Sequence, residues 1–392
     1  MNQLIFEGRF LVNMAGSIIR QDALSPIRGG LNWEKIYRNA DYHRLANMVY
    51  IGLLGKNEHV PARWRERFFE RYQESLLFGE ICSDAEKEIL TLLEMKEISC
   101  IILASTAVRD LYQVPEMASN SPLILYMDME SYIFTKGYLV DLGYETDRVY
   151  SGCGERLKRV SGFTIEIYHD LPFITSLYKK TMLYLLERAT LQKSYQYIRG
   201  MSASDRFVFR MAQAVYHYVT DELLIREILD LYLYHRAWAE QLNQDFIKHM
   251  LIELQIDQLA AKLLSIGYMW FGDKGSRQIF GPRDDMSVYD VLENRILSRG
   301  ALNKESDTQA LELTRQIQRE EERERRAEKL QRIKMEFEKR VERFKKKMSW
   351  IFPELSYMRS MYPWLEKAPI LLPVSWLIRG TRLISGMIKM RK

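Results

Sequence analysis

Three carboxylates near the middle of the chain have the types and spacing of a metal site. Asp128 and Glu130 end an apolar run that begins at Leu123, and Glu166 lies inside a second apolar run further along. Side chains two residues apart on a strand point to the same face, so Asp128 and Glu130 are predicted to converge. Carboxylate oxygens are the ligands that Mg²⁺ or Mn²⁺ prefers. With Glu166 on the neighbouring strand, we expect one three-carboxylate metal site at the end of a small sheet.

The same carboxylates also have simpler explanations. Asp128 and Glu130 suit the polar face of an edge strand, although the apolar run before them indicates a strand that is largely buried. Glu166 stands between two isoleucines and equally suits the solvent face of an alternating strand. His169, close behind it, either orients Glu166 or has a structural role.

The segment around these carboxylates resembles a known superfamily. An Asp-x-Glu pair, a third carboxylate between apolar residues, and an upstream strand and turn at Ile101 to Thr106 are similar to the polymerase-beta-like nucleotidyltransferases. A narrower resemblance is to a poorly characterised bacterial branch, in which Leu-Lys-Gly-x-x-Leu-Arg-x-Leu-Tyr precedes Asp-x-Asp. Here that phrase is Leu103-Ala-Ser-Thr-Ala-Val-Arg-Asp-Leu-Tyr112, and weaker similarity continues towards the C-terminus. The resemblance implies transfer of a nucleoside monophosphate from an NTP to an acceptor, with Mg²⁺ or Mn²⁺ bound by Asp128, Glu130 and Glu166.

The resemblance also implies a phosphate-binding turn at Ser105 and Thr106, supported by Arg109 from the following helix. Hydroxyls and backbone N–H groups at a helix start bind phosphate oxygens. The same two residues are equally typical of a helix cap that binds no ligand, and a surface arginine at position 109 needs no ligand either.

The sequence departs from the family pattern around this turn. The Lys-Gly of the family phrase falls on Ala104 and Ser105, so the glycine that lets the backbone approach a triphosphate is missing. Ile124 stands where the family often has an Arg, and Tyr168 stands where a His commonly follows the third carboxylate. These departures leave the predicted metal site intact and weaken the phosphate-binding turn.

Composition indicates a protein of a reducing compartment. The 392 residues carry a net charge of +5, a mild excess that permits an anionic partner without requiring one. Three cysteines without Cys-x-x-Cys spacing argue against a disulfide scaffold and a zinc site. No signal peptide is evident, and no stretch approaches the roughly 18 apolar residues that a membrane span needs. We therefore predict a cytoplasmic location.

The chain divides into four predicted regions. Residues 1–99 form a helical lead-in, with separate helices from Pro61 and from about Ser83, and residues 100–175 form the nucleotidyltransferase-like core. Residues 176–300 form a helical domain with a glycine-rich loop at 267–282. The predicted fold class is α+β or α/β, a small mixed sheet flanked by helical regions.

Residues 301–392 form a charged amphipathic helix followed by a basic, aromatic segment. The apolar spacing between Leu330 and Met348 fits either a short coiled coil or a helix that folds back on its own domain. The basic segment suits an anionic membrane surface, an RNA, or packing as an element of the family fold.

Two main functions are compatible with the sequence. The first is a metal-dependent nucleotidyltransferase, whose acceptor is a small molecule, peptide, protein or RNA. The second is a catalytically silent protein that keeps the fold for binding or scaffolding. A third, RNA association through the basic C-terminal segment, predicts binding that falls steeply with salt.

Overall fold

The computed structural model of the chain describes residues 3–24, 27, 30–54, 60–150, 152–171, 175–280, 286–298, 319, 323 and 352–389. The chain divides into two compact units, Met1–Gln318 and Arg319–Lys392. The predicted coiled coil or amphipathic helix between Leu330 and Met348 lies outside the described residues.

A seven-stranded mixed sheet lies in the middle of the first unit, with helices on both sides, which confirms the predicted fold class. The strands are β1 (Cys100–Ala104), β2 (Leu123–Tyr126), β3 (Tyr144–Tyr150), β4 (Gly154–Arg159), β5 (Thr164–Tyr168), β6 (Thr190–Leu191) and β7 (Ile198–Gly200). Their order across the sheet is β3-β4-β5-β2-β1-β7-β6. In the middle of the sheet, β2 runs parallel to β5 and antiparallel to β1. The two apolar runs that carry the predicted carboxylates are therefore neighbours.

Alternation along these strands gives the sheet two buried faces. Leu123, Leu125 and Ile165 are fully buried on one face, in a core shared with the long helix that precedes the sheet. Ile124 and Tyr126 point to the opposite face and pack against the larger helical core. Because both faces are covered, a polar side chain at an even-numbered position of β2 or β5 faces the helical region.

The helices of the first unit surround this sheet. They are α1 (Gln3–Arg20), α2 (Trp33–Tyr42), α3 (Ala46–Leu53), α4 (Ala62–Met95), α5 (Met129–Asp141), α6 (Ser176–Glu187), α7 (Ala203–Val219), α8 (Ile225–Trp238), α9 (Gln244–Glu253), α10 (Asp257–Phe271), α11 (Lys274–Phe280) and α12 (Met286–Leu297). A 3-10 turn at Thr106–Leu111 follows β1. No helix among the described residues is both long and apolar enough to cross a membrane.

Three local predictions are wrong. The two helices predicted from Pro61 and Ser83 are the single helix α4, because buried residues continue at helical spacing through the expected break. The glycine-rich stretch predicted as a loop contains the end of α10 and all of α11. The region predicted to be wholly helical after residue 176 contributes β6 and β7, which are too short to show any alternation.

The second unit contains two further described helices, α13 (Leu355–Met361) and α14 (Leu372–Lys389). Met358, Tyr362 and Leu365 form a small buried cluster against which Trp376 packs. Tyr362 and Trp376 of this basic segment therefore have packing roles within their own unit.

The side chain of Arg226, on α8, joins three regions of the first unit. It is 2% exposed, and its guanidinium donates to the backbone carbonyls of Arg44 and Met117 and to side-chain oxygens of Asn47 and Tyr112. The Tyr112 hydroxyl in turn donates to Asp230. A buried guanidinium with this many acceptors fixes the N-terminal helices and the turn after β1 against α8.

Replacing Arg226 with Met is expected to lower the free energy of unfolding by about 3 kcal/mol, because it leaves several buried acceptors without a hydrogen-bond donor. Urea denaturation of the full chain measures the loss. Arg236→Met is the matched control, because Arg236 lies on the same helix, is exposed, and makes one long hydrogen bond to Tyr232. Equal losses in the two variants would contradict the joining role of Arg226.

Candidate functional site

Asp128 lies at a helix start, two residues beyond the end of β2. Its backbone is extended, and its carboxylate caps α5 by accepting from the Ser131 backbone N–H at 2.8 Å and from the Ser131 hydroxyl at 3.0 Å. These hydrogen bonds hold the pKa of Asp128 below its ordinary value, so this exposed carboxylate is ionised at neutral pH. The capping propensity of Asp therefore ends the strand earlier than the apolar run suggested.

Glu130 lies in the first turn of α5 and is exposed. Residues two apart on a helix do not face each other, so Glu130 and Asp128 do not share a face as they would on a strand. The predicted strand position of this pair is wrong. A carboxylate in the first turn still interacts favourably with the helix dipole, which accounts for Glu130 without a ligand.

Glu166 lies in the middle of β5 and is buried, with 5% of its surface exposed. Arg156, on the neighbouring strand β4, donates to it from Nε at 2.7 Å and from a terminal nitrogen at 2.5 Å. The hydroxyls of Tyr150 and Tyr168 donate to the same carboxylate. Burial lowers the pKa of Arg156, but the charge and hydrogen bonds of Glu166 outweigh it and hold the pKa above its ordinary value. An arginine therefore supplies the positive charge that was predicted to come from a metal ion.

The three predicted metal ligands do not form one cluster. In the parallel register of β2 and β5, Glu166 lies opposite Ile124, four residues before Asp128. At about 3.3 Å per residue, this corresponds to a backbone offset of about 13 Å along the strand direction. No group of three or more His, Cys, Asp or Glu side chains among the described residues is placed to hold a metal ion. Asp128, Glu130 and Glu166 as they lie do not fit a three-carboxylate metal centre.

Asp170 is a carboxylate that sequence analysis missed. It follows β5 by two residues, as Asp128 follows β2, and the register of these parallel strands brings the two positions level. Burial raises the pKa of Tyr126, and the charges of Asp170 and Asp128 raise it further, so both carboxylates lie near this hydroxyl. Asp170 also accepts from Lys179 at 3.0 Å. The signal that could have identified it is a carboxylate just after each of two apolar runs.

The turn after β1 divides the other three predicted site residues between two cavities. Ser105 caps the 3-10 turn by accepting from Ala107 N–H, and it lines a cavity of about 320 Å³ beside α7 and α8. Thr106 directs its backbone N–H and its hydroxyl to the same oxygen of Glu86, on α4. Arg109 is buried against α4, where Gly79 leaves room for its guanidinium. Thr106 and Arg109 line a separate cavity of about 460 Å³, so only Ser105 lies beside α7 and α8.

Two adjoining cavities between the sheet and helices α7 and α8 form what we call the central cleft. Ser105, Tyr234 and Trp238 line the first cavity, Glu166 and Tyr168 line the second, and Ala104 and Arg210 line both. The second cavity measures about 160 Å³. The central cleft thus has an aromatic wall, a turn whose Ser105 hydroxyl donates to no other described residue, and a floor made by β2 and β5.

Comparison with known proteins identifies the class to which this fold and cleft belong. The model of a family described as an uncharacterised nucleotidyltransferase matches residues 29–272, which is more than half of the chain. The matched segment contains the sheet, helices α7 and α8, and the central cleft. No curated protein and no solved structure matches the chain. The chain belongs to this nucleotidyltransferase family, which confirms the resemblance found in its sequence.

Replacing Arg156 with Met is expected to lower the free energy of unfolding by about 2 kcal/mol, because it leaves the buried Glu166 charge without its cation. Adding Glu166→Gln in the same chain removes that charge and should recover most of the loss. Chemical denaturation at pH 7 measures both variants. Arg159→Met is the matched control, since Arg159 lies on the same strand and pairs with Glu88 at the surface. If the double variant is no more stable than Arg156→Met, the two residues are not coupled as described.

Proposed function

We propose that this chain binds a nucleoside triphosphate in the central cleft and does not transfer the nucleotide. The observation that carries this proposal is the pairing of Glu166 with Arg156. A nucleotidyltransferase of this class relies on metal ions to neutralise the triphosphate and to activate the acceptor. Glu166 is paired with Arg156 and does not lie beside Asp128. The chain therefore has the fold that binds a nucleotide but, among its described residues, no assembled metal centre.

Three features of the central cleft support nucleotide binding. Family membership makes an NTP the expected ligand. Trp238 lines one wall and stacks on the buried ring of Tyr234, with centroids 6.1 Å apart, and an aromatic side chain in this position suits stacking with a base of any kind. The hydroxyl of Ser105 faces the same space and has its proton available for a phosphate oxygen. Cys82, Cys100 and Cys153 form no disulfide among the described residues, which suits action in the cytoplasm.

A second candidate function is metal-dependent transfer of NMP to an acceptor. It is favoured by Asp128 and Asp170, which both lie near Tyr126 and remain accessible. Mg²⁺ often uses only one or two protein carboxylates together with substrate phosphates, so these two side chains would suit a single ion. In this alternative Glu130 or Glu166 contributes only after a rearrangement, which for Glu166 includes release of Arg156. The acceptor would be a small molecule, peptide, protein or RNA, and the basic C-terminal segment would suit an anionic one.

Incubation of the full chain with each α-³²P NTP, Mg²⁺ or Mn²⁺ and cell extract distinguishes the two candidates. Binding without transfer predicts no label on any extract component above the level given by Asp128→Asn. It also predicts a rise in melting temperature with at least one NTP when metal is absent, since saturation at 100 times Kd stabilises by about 2.7 kcal/mol. Label that appears with the wild-type chain and disappears with Asp128→Asn would overturn the proposal in favour of transfer.

A further inference from the structure

Two arginines on α7, Arg206 and Arg210, line the central cleft one helical turn apart. Both are half-buried. Neither guanidinium forms a salt bridge or a side-chain hydrogen bond with another described residue, whereas Arg188, nearby along the chain, pairs with Asp205 at 3.0 Å. Like charges four residues apart on a helix repel each other, so this pair is unfavourable by itself.

The positive charge of this arginine pair has no salt-bridge partner among the described residues. The Nε atom of Arg210 is buried without a hydrogen-bond partner among the described residues. Burial, and then the charge of Arg210, lower the pKa of Arg206 despite the favourable influence of Tyr234. A half-buried guanidinium without an acceptor loses hydration and gains nothing in return. These two arginines therefore favour the binding of an anion in the cleft.

The acidic groups of the second cavity of the cleft are already committed to other partners. Glu166 pairs with Arg156, and Glu227 lies 3.0 Å from His217. Asp230 accepts from Tyr112 and interacts electrostatically with Arg210 without forming a salt bridge to it. Asp110 lines the first cavity and is exposed. Among the described residues, none of these four carboxylates forms a salt bridge with Arg206 or Arg210.

We propose that Arg206 and Arg210, together with the hydroxyl of Ser105, bind the phosphate chain of the nucleotide. Planar guanidinium groups bind phosphate oxygens bidentately, and two of them one turn apart span neighbouring phosphates of a di- or triphosphate. Ser105 lines the same cavity and donates its hydroxyl proton. Positive charge thus comes from helix α7. In the family phrase it would come instead from a lysine at position 104, which is Ala104 in this chain. The proposal rests on the proposed nucleotide binding in one respect, the identity of the anion.

Isothermal titration calorimetry of the full chain tests the site, with inorganic tripolyphosphate and the four NTPs as separate titrants. Arg206→Gln and Arg210→Gln are each expected to weaken tripolyphosphate binding by about tenfold or more, because each removes charge-assisted hydrogen bonds. Arg277→Gln, on the exposed part of α11, is the charge-matched control and should bind like the wild type. In the absence of ligand, the two cleft variants should melt at or above the wild-type temperature, since each removes a repulsion. A structural role for the arginines predicts lower melting temperatures instead.

The outcomes separate this site from the proposed nucleotide binding. Loss of NTP and tripolyphosphate binding together in the cleft variants supports both. NTP binding that is unchanged in both variants overturns the arginine site and leaves nucleotide binding standing. Arginine-dependent binding of tripolyphosphate, with no binding of any NTP, supports the anion site and overturns the nucleotide. No binding of either ligand to the wild type overturns both.

Discussion

The cost of burying charge governs the interior of this protein. A guanidinium or carboxylate that loses water must find a partner where it lies, and most of those described here have done so. Arg226 is surrounded by carbonyls, a tyrosine hydroxyl and an asparagine, and this arrangement holds the N-terminal helices to α8. Glu166 is neutralised by Arg156 across two strands. Arg206 and Arg210 depart from this rule, and their position in the central cleft makes the departure informative.

These pairings alter what membership of a nucleotidyltransferase family implies for this chain. The fold supplies a cleft at a sheet whose parallel strands β2 and β5 each end near a carboxylate, Asp128 and Asp170. The metal chemistry of the class depends on ligands that converge, and here the buried carboxylate already has a cation of its own. Charge for the phosphates is available from α7 instead. We propose that this cleft holds a polyanion without an assembled metal centre.

The sequence was sufficient to predict the elements that depend on local patterns. The apolar runs around Leu123 and Ile165 predicted the neighbouring strands, and the resemblance predicted the family. The sequence was insufficient where a side chain can bind either a local or a distant partner. Asp128 ends a strand because it caps α5, and Glu166 pairs with an arginine whose approach depends on the register of β4 and β5. The spacing of Arg206 and Arg210 was visible, but only the fold shows that they line a cleft in which no described carboxylate forms a salt bridge with either of them.

The most direct test of whether Arg156 has taken the place of a metal ion is Mn²⁺ binding to the full chain. Electron paramagnetic resonance measures the free Mn²⁺ in the presence of a non-hydrolysable NTP analogue. The account predicts that the chain removes no more free Mn²⁺ than the nucleotide alone removes. A stoichiometric Mn²⁺ site that requires the chain, and that disappears in Asp128→Asn, would contradict it. That result would show that the carboxylates converge on a metal ion in the nucleotide complex.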